Sequence, residues 1–324
     1  MTALLRRTPT TESESGSVRP TVAIVGAGAI GTVVADALSD RATVTLARRG
    51  TEVPMSIQLG ADIRRVDAAV AAAPEGLGPV DWVVVTVKAQ DTPAIGPWLD
   101  VLVGPQTTVV MLQNGIGHAE RVGEWVPASR VVPGIVYIAA EKVQPDLVVC
   151  RDLGALALAA ESTTAASLAA EFAALVDARL SVRLARDFVT ESWSKLAINS
   201  ALNSVTALTD RTMEVTGDAG ARPLIHALLA EAAQVAAAEG ARLPADAADL
   251  FLAHMDALPR DSATSMLLDR RAGRALEHDF LTGAVIAAAD RHGLPVAMLR
   301  MVHGLVDALD PRDRSVVDAV SLAA

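Results

Sequence analysis

Residues 21–39 read TVAIVGAGAIGTVVADALS. The first five are apolar or β-branched, the pattern of a short buried strand. Gly26-Ala27-Gly28-Ala29-Ile30-Gly31 follows at once, and the apolar residues after it recur at helical spacing. A G-x-G-x-x-G run alone is a weak signal, but here a strand precedes it and a helix follows. Gly26 permits the tight turn, and Gly28 lets the backbone approach a pyrophosphate resting on the positive helix end. Gly31 lets the helix pack closely on the sheet. These six residues are therefore candidate dinucleotide contacts, and an ordinary glycine-rich turn is the plain alternative.

Working outward, further short strands are expected at 43–47, 81–88 and 107–112, alternating with helical segments. That alternation predicts a parallel, doubly wound α/β sheet of the Rossmann type. Strand-like sequence continues over 131–160, and a helix is expected over 161–176. Beyond about residue 187 the strands stop. Helical periodicity covers 188–208, 223–239, 245–258, 265–292 and 295–309, with Pro223, Pro244 and Pro295 near first turns. The expected organisation is a disordered tail over 1–20, a nucleotide-binding domain over 21–186 and an all-helical C-terminal domain over 187–324.

Composition narrows the function. The net charge of −10 argues against a nucleic-acid surface, which needs clustered Lys and Arg. No apolar stretch is long enough to suggest a membrane span. The tail lacks the continuous apolar region of a secretory signal. Cys150, the one cysteine, excludes an intrachain disulfide and reads as a small buried hydrophobe near a strand. A cytoplasmic protein is expected. The alanine-rich helices suit a homodimer interface or packing within one chain.

The end of the second strand bears on which nicotinamide cofactor is used. An acidic residue there would bind the ribose hydroxyls of NAD, but the sequence has Ala47-Arg48-Arg49-Gly50. Guanidinium groups can clamp a 2′-phosphate, so NADP(H) is expected, with Arg49 a candidate contact. Two solvated arginines are the alternative. Lys88 and Asn114 each lie just past a predicted strand end, where open α/β sheets bind ligands. In the helical half, Lys195, Asn199 and Asn203 stand at i, i+4 and i+8 and form one polar stripe on an apolar helix. Buried amides and an ammonium need partners, supplied by a polar ligand or by neighbouring helices. Glu277 falls within a segment expected to be helical. The histidines show no local metal-ligand spacing, so no metal is expected. No G-x-S-x-G elbow suggests a hydrolase.

Five segments in order carry a resemblance. They are GAGAIG at 26–31, VVVTVKAQDT at 83–92, LQNGIG at 112–117, WSKLAINSALNSVTAL at 193–208 and TSMLLDRRAGRALEHDFLTG at 264–283. Together they resemble the 2-dehydropantoate 2-reductase (ketopantoate reductase) family, over nearly the whole chain outside the tail. The resemblance implies NADPH-dependent reduction of 2-dehydropantoate to (R)-pantoate, a step in pantothenate and coenzyme A synthesis. It implies Lys195 as the catalytic lysine and Glu277 as the acidic active-site residue. It also implies Asn199, Asn203 and Ser265 as substrate contacts, and Arg49, Lys88 and Asn114 as cofactor contacts. Two departures stand out. A family asparagine is replaced around Met213, and the family's E-I-D-Y-L-N-G reads EHDFLTG at 277–283. Reduction of another 2-keto acid, or NADP binding without turnover, are the alternatives.

Overall fold

The computed structural model describes residues 19–311, so 1–18 of the expected tail lie outside the described residues. In chain order the first elements are β1 (Thr21–Val25), α1 (Ala29–Leu38), β2 (Thr43–Ala47), β3 (Ser56–Leu59), β4 (Asp62–Arg65), β5 (Ala69–Ala71) and β6 (Trp82–Val85). There follow α2 (Gly96–Leu102), β7 (Thr108–Met111), α3 (His118–Arg121), β8 (Val131–Val136), β9 (Ala139–Gln144), β10 (Leu147–Asp152), β11 (Ala155–Ala159), α4 (Thr163–Leu175) and β12 (Ser181–Ala185). From there the described chain has no strand. Its helices are α5 (Phe188–Thr209), α6 (Ala221–Ala238), α7 (Ala247–Asp256), α8 (Ser265–Arg271), α9 (Thr282–His292) and α10 (Ala297–Asp307).

Eight strands form one sheet in the order β12-β11-β8-β7-β6-β1-β2-β5. β1 sits between β2 and β6, parallel to both, so the glycine loop leaves the middle of the sheet. The order reverses on either side of β1, which opens a crevice at the strands' C-terminal ends. The near-continuous apolar runs of β1, β6 and β7 follow from burial on both faces. The sheet is mixed, because β11 runs antiparallel to β8. A second, four-stranded sheet, β4-β3-β10-β9, covers α1. Its strands β3 and β4 are short and half polar, which is why the sequence pattern of 56–65 did not announce them. Cys150 is buried on β10, as a small apolar residue would be.

The helical half has its own core, built from α5, α6, α8, α9 and α10 around Leu196, Val205, Leu228, Met266, Val285 and Leu299. α5 is 22 residues long, and the Asp187 carboxylate caps its start by accepting from the Thr190 amide at 3.3 Å. The single helix expected over 265–292 is instead two. Gly273, at φ 64°, ends α8, and the Arg274 amide turns back to the Asp269 carbonyl at 2.9 Å. Glu277 therefore lies in a connection, just before a 3₁₀ turn at His278–Phe280, and not on a helix.

Candidate active site

The glycine loop has the shape a dinucleotide requires. Gly26 has φ 119°, and a Cβ there would stand 2.7 Å from the Val87 amide nitrogen. A Cβ on Gly31 would meet the Gly26 carbonyl oxygen at 2.0 Å. At Gly28, the residue that caps α1, a Cβ would meet no atom within 4 Å. The loop is thus tight where it packs and open where a phosphate would approach the helix N-terminus. Thr86 braces it, its hydroxyl donating to the Gly26 carbonyl at 2.7 Å.

The two arginines after β2 divide. Arg48 is tied to the chain, donating to the Val53 carbonyl at 2.7 Å and to the Pro145 carbonyl. Arg49 is exposed and has no hydrogen-bond partner among the described residues. Lys142, on β9, adds a cation that the sequence did not single out. Its ammonium donates to the Ala27 carbonyl at 3.4 Å, and burial and the nearby Arg48 lower its pKa. Two arginines and a lysine therefore border the loop.

Lys88 and Asn114 come together, but on Glu277. The Lys88 ammonium contacts Asp269 at 2.8 Å and Glu277 at 3.0 Å. The Ala89 amide donates to the other Glu277 oxygen at 3.0 Å, and the Asn114 amide donates at 3.1 Å. Asp269 also accepts from Arg274 at 2.9 Å. This cluster joins the end of β6 and the loop after β7 to the helical half. Burial raises the Glu277 carboxyl pKa, yet Lys88, the Ala89 amide and Asn114 outweigh it and hold it below the ordinary value. For Lys88, burial pulls downward while Glu277 and Asp269 prevail and raise it.

Lys195 points from α5 into a narrow cleft lined also by Asn114, His118, Val136, Ser192 and Asn199. Its ammonium donates to the Val136 carbonyl and lies 5.0 Å from the Tyr137 ring centroid. Burial lowers its pKa to about 8, opposed by the charge of Glu277. No hydrogen bond joins Lys195 to Glu277, so the carboxylate acts on the lysine through its field. The predicted polar stripe also divides. Asn199 lines the cleft with Lys195. Asn203 is buried, and its Oδ1 accepts from the Ser265 hydroxyl at 3.3 Å and the Met266 amide at 3.1 Å. Asn203 and Ser265 are thus brought to each other, at the start of α8.

Sequence reasoning missed three further groups here. Arg121 holds the loop after β7, donating to Gln113 Oε1 at 3.1 Å and to the Asn114 and Ile116 carbonyls. Its guanidinium also covers the Phe280 ring at 5.0 Å. His118 is buried in the cleft wall with Nε2 3.0 Å from the Gln113 carbonyl, and burial lowers its pKa to about 4. Asp269 shares Lys88 with Glu277. LQNGIG was legible as a strand end, but nothing local marked Arg121 or His118 as its anchors.

Comparison with known proteins bears on this arrangement. The family description "Ketopantoate reductase PanE/ApbA" matches residues 22–162, and its "C terminal" counterpart matches 187–310. The chain is 35% identical over 290 residues to a 2-dehydropantoate 2-reductase of Caulobacter vibrioides, covering 89% of this chain and 98% of that one. It is 38% identical over 278 residues to the enzyme of that name from Mycobacterium tuberculosis, covering 84% and 92%. A dimeric ketopantoate reductase from Staphylococcus aureus superposes with a TM-score of 0.78 at 26% identity, over 89% of this chain and 98% of that one. D-mandelate dehydrogenase, solved with NADH, shares the fold at TM-score 0.80 and 21% identity, over 89% and 98%.

Proposed function

The chain belongs to the ketopantoate reductase family, and on that premise we propose that it reduces 2-dehydropantoate to (R)-pantoate with NADPH, Lys195 serving as the acid. The observation that carries this is the Lys195 ammonium, buried in a cleft at the C-terminal edge of the sheet and shared with Asn114 and Asn199. When bound, the nicotinamide supplies hydride to the substrate carbon. The open backbone at Gly28 suits the pyrophosphate, and Arg49 and Lys142 suit a 2′-phosphate, which favours NADPH over NADH.

The protein's part is to bind the keto acid and manage one proton. Hydride addition builds negative charge on the ketone oxygen. Lys195 hydrogen-bonds that oxygen and passes it a proton from Nζ. A pKa of about 8 keeps the ammonium protonated near neutrality while making its proton easier to give than that of a solvated lysine. The Val136 carbonyl and the Tyr137 ring hold Nζ in place between turnovers. Glu277 is a positioning residue. It fixes Lys88 and Asn114 at the edge of the sheet, and its charge favours the ammonium form of Lys195. Asn199, Asn203 and Ser265 bind the carboxylate and hydroxyl of the substrate without adding net charge.

Reduction of a different 2-keto acid is the second reading, and the departures at Met213 and Thr282 favour it. Met213 is buried in the helical core, and the Thr282 hydroxyl is engaged by the His278 carbonyl and His303. The dimeric S. aureus relative suggests a homodimer here, which sedimentation would test. A cytoplasmic location suits a chain whose lone cysteine can form no internal disulfide. The deciding experiment follows NADPH consumption with 2-dehydropantoate beside a panel of 2-keto acids. Highest kcat/KM on 2-dehydropantoate supports the proposal, and preference for another keto acid transfers it to the second reading. No turnover with any of them rejects catalysis.

A further inference from the structure

On the far side of the Glu277 turn lies a cluster of a different kind. His278 and Asp279 begin the 3₁₀ turn, and His303 and Asp307 face them from α10. One ligand-type atom from each of His278, Asp279 and His303 lies within 4.8 Å of the others. His278 Nε2 is 3.0 Å from an Asp307 oxygen and 3.5 Å from an Asp279 oxygen. His303 Nε2 is 3.7 Å from that same Asp279 oxygen. Two ligands bound tetrahedrally at roughly 2.0–2.2 Å from zinc stand about 3.3–3.6 Å apart, close to the 3.5 and 3.7 Å that separate the Asp279 oxygen from His278 and His303.

The hydrogen bonds around the cluster suit ligation by His303, whereas His278 Nε2 would exchange its bond to Asp307 for the metal. The Thr282 hydroxyl donates to the His278 carbonyl at 3.0 Å. Its one proton is therefore used, and it can only accept at 2.9 Å from His303 Nδ1. The Nδ1–H of His303 is thereby fixed, and its Nε2 carries the free lone pair toward Asp279. His278 is 1% exposed, and its Nδ1 has no hydrogen-bond partner. An Asp310 oxygen lies 3.6 Å from it, near the carboxylate-behind-histidine arrangement of many metal sites. The two rings sit side by side, centroids 5.1 Å apart.

The geometry points to a transition-metal site of the zinc class, formed by His278, Asp279 and His303, with water completing the shell. Two imidazoles with a carboxylate suit zinc and its neighbours and do not suit calcium or magnesium, which take oxygen ligands. The absence of a local H-x-x-x-H spacing, which led the sequence to promise no metal, has no bearing on ligands brought together from separate segments. Bound there, the metal clips the turn that carries Glu277 to α10. The metal-free arrangement, in which His278 only hydrogen-bonds Asp307, is the outcome that the experiment separates from a metal site.

The full chain, stripped with a chelator, is titrated with Co²⁺ and followed by visible absorption, with Zn²⁺ then added as competitor. We expect one equivalent bound with the intense band of a low-coordinate cobalt site, displaced by zinc, and a rise in melting temperature. His303→Ala and Asp279→Asn should each abolish the band. Thr282→Val, which removes the acceptor that fixes His303, should weaken binding about 10–100-fold. Asp279 is exposed, so Asp279→Asn keeps the test open should His303→Ala fold poorly. No cobalt band in the wild-type protein overturns the site. A band that persists in both His303→Ala and Asp279→Asn overturns it too, and places the metal on surface histidines such as His226 or His292.

Discussion

Replacing Lys88 with methionine tests the electrostatic joint between the two halves of the chain. The substitution keeps most of the aliphatic stem but leaves Glu277, 4% exposed, and Asp269 facing each other without their shared cation. Removing one partner of a buried pair costs ~3–5 kcal/mol. Two features reduce that figure here. Lys88 keeps 36% of its side-chain surface, so solvent screens part of its attraction. Glu277 also retains the Ala89 amide and Asn114, and Asp269 retains Arg274. The expected loss is ~2–3 kcal/mol near neutral pH, a fall of roughly 3–5 °C in melting temperature for a chain of this size. The pH dependence is the sharper sign. In the wild-type protein the Glu277 pKa lies below its unfolded value, so its contribution is present above the ordinary carboxylate range. It is lost only as pH falls through the folded value. Without Lys88, burial dominates and raises the folded pKa above the unfolded one, so stability falls as pH rises through that window. Thermal unfolding of the ligand-free protein by circular dichroism, at about pH 5 and about pH 8, should show a larger penalty at the higher pH. Lys88→Met combined with Glu277→Gln should recover part of the loss. A penalty equal at both pH values, with no recovery in the double variant, would refute the joint.

Arg49→Ala should weaken NADPH binding by roughly tenfold or more and leave NADH nearly unchanged, since a charge-assisted contact is worth ~1.5–3 kcal/mol. Equal losses in cofactor titrations would remove the 2′-phosphate contact. Asn199→Ala should raise KM for the keto acid without altering the melting temperature. Asn203→Ala should do both, because it strands the Met266 amide that Asn203 satisfies, at ~1–3 kcal/mol. Unchanged melting in Asn203→Ala would contradict that bond. Glu277→Gln should shift the alkaline limb of the kcat/KM–pH profile to lower pH, because Lys195 loses a charge that favours its ammonium. An unmoved limb would detach Glu277 from Lys195.

What the sequence made legible was local. The glycine loop, the strand ends at Lys88 and Asn114, and the spacing of Lys195 and Asn199 each depend on residues a few positions apart. Steric demands at Gly26 and Gly31 write themselves into the sequence as glycines. The partners of those groups are not local. Lys88 meets acidic residues 181 and 189 positions away, and no periodicity reveals which carboxylate neutralises which cation. The same limit turned one polar stripe into two roles, with Asn199 in the cleft and Asn203 bonded to α8. Glu277 was placed on a helix because its neighbours have helical composition. One glycine in a left-handed conformation overrode that composition and set the residue in the connection, where it can meet Lys88. Lys142 was passed over for a similar reason, since β9 reaches the glycine loop only through the second sheet.

Lys195 as the proton donor is the centre of the proposed mechanism, and single-turnover hydride transfer tests it most directly. Enzyme loaded with NADPH is mixed with 2-dehydropantoate, and the nicotinamide absorbance is followed in the wild-type protein and in Lys195→Ala. The expected result is complete oxidation by the wild type and a rate about 10²–10⁴-fold lower in the variant, with NADPH affinity preserved. Hydride transfer at a near-normal rate in Lys195→Ala would contradict the assignment.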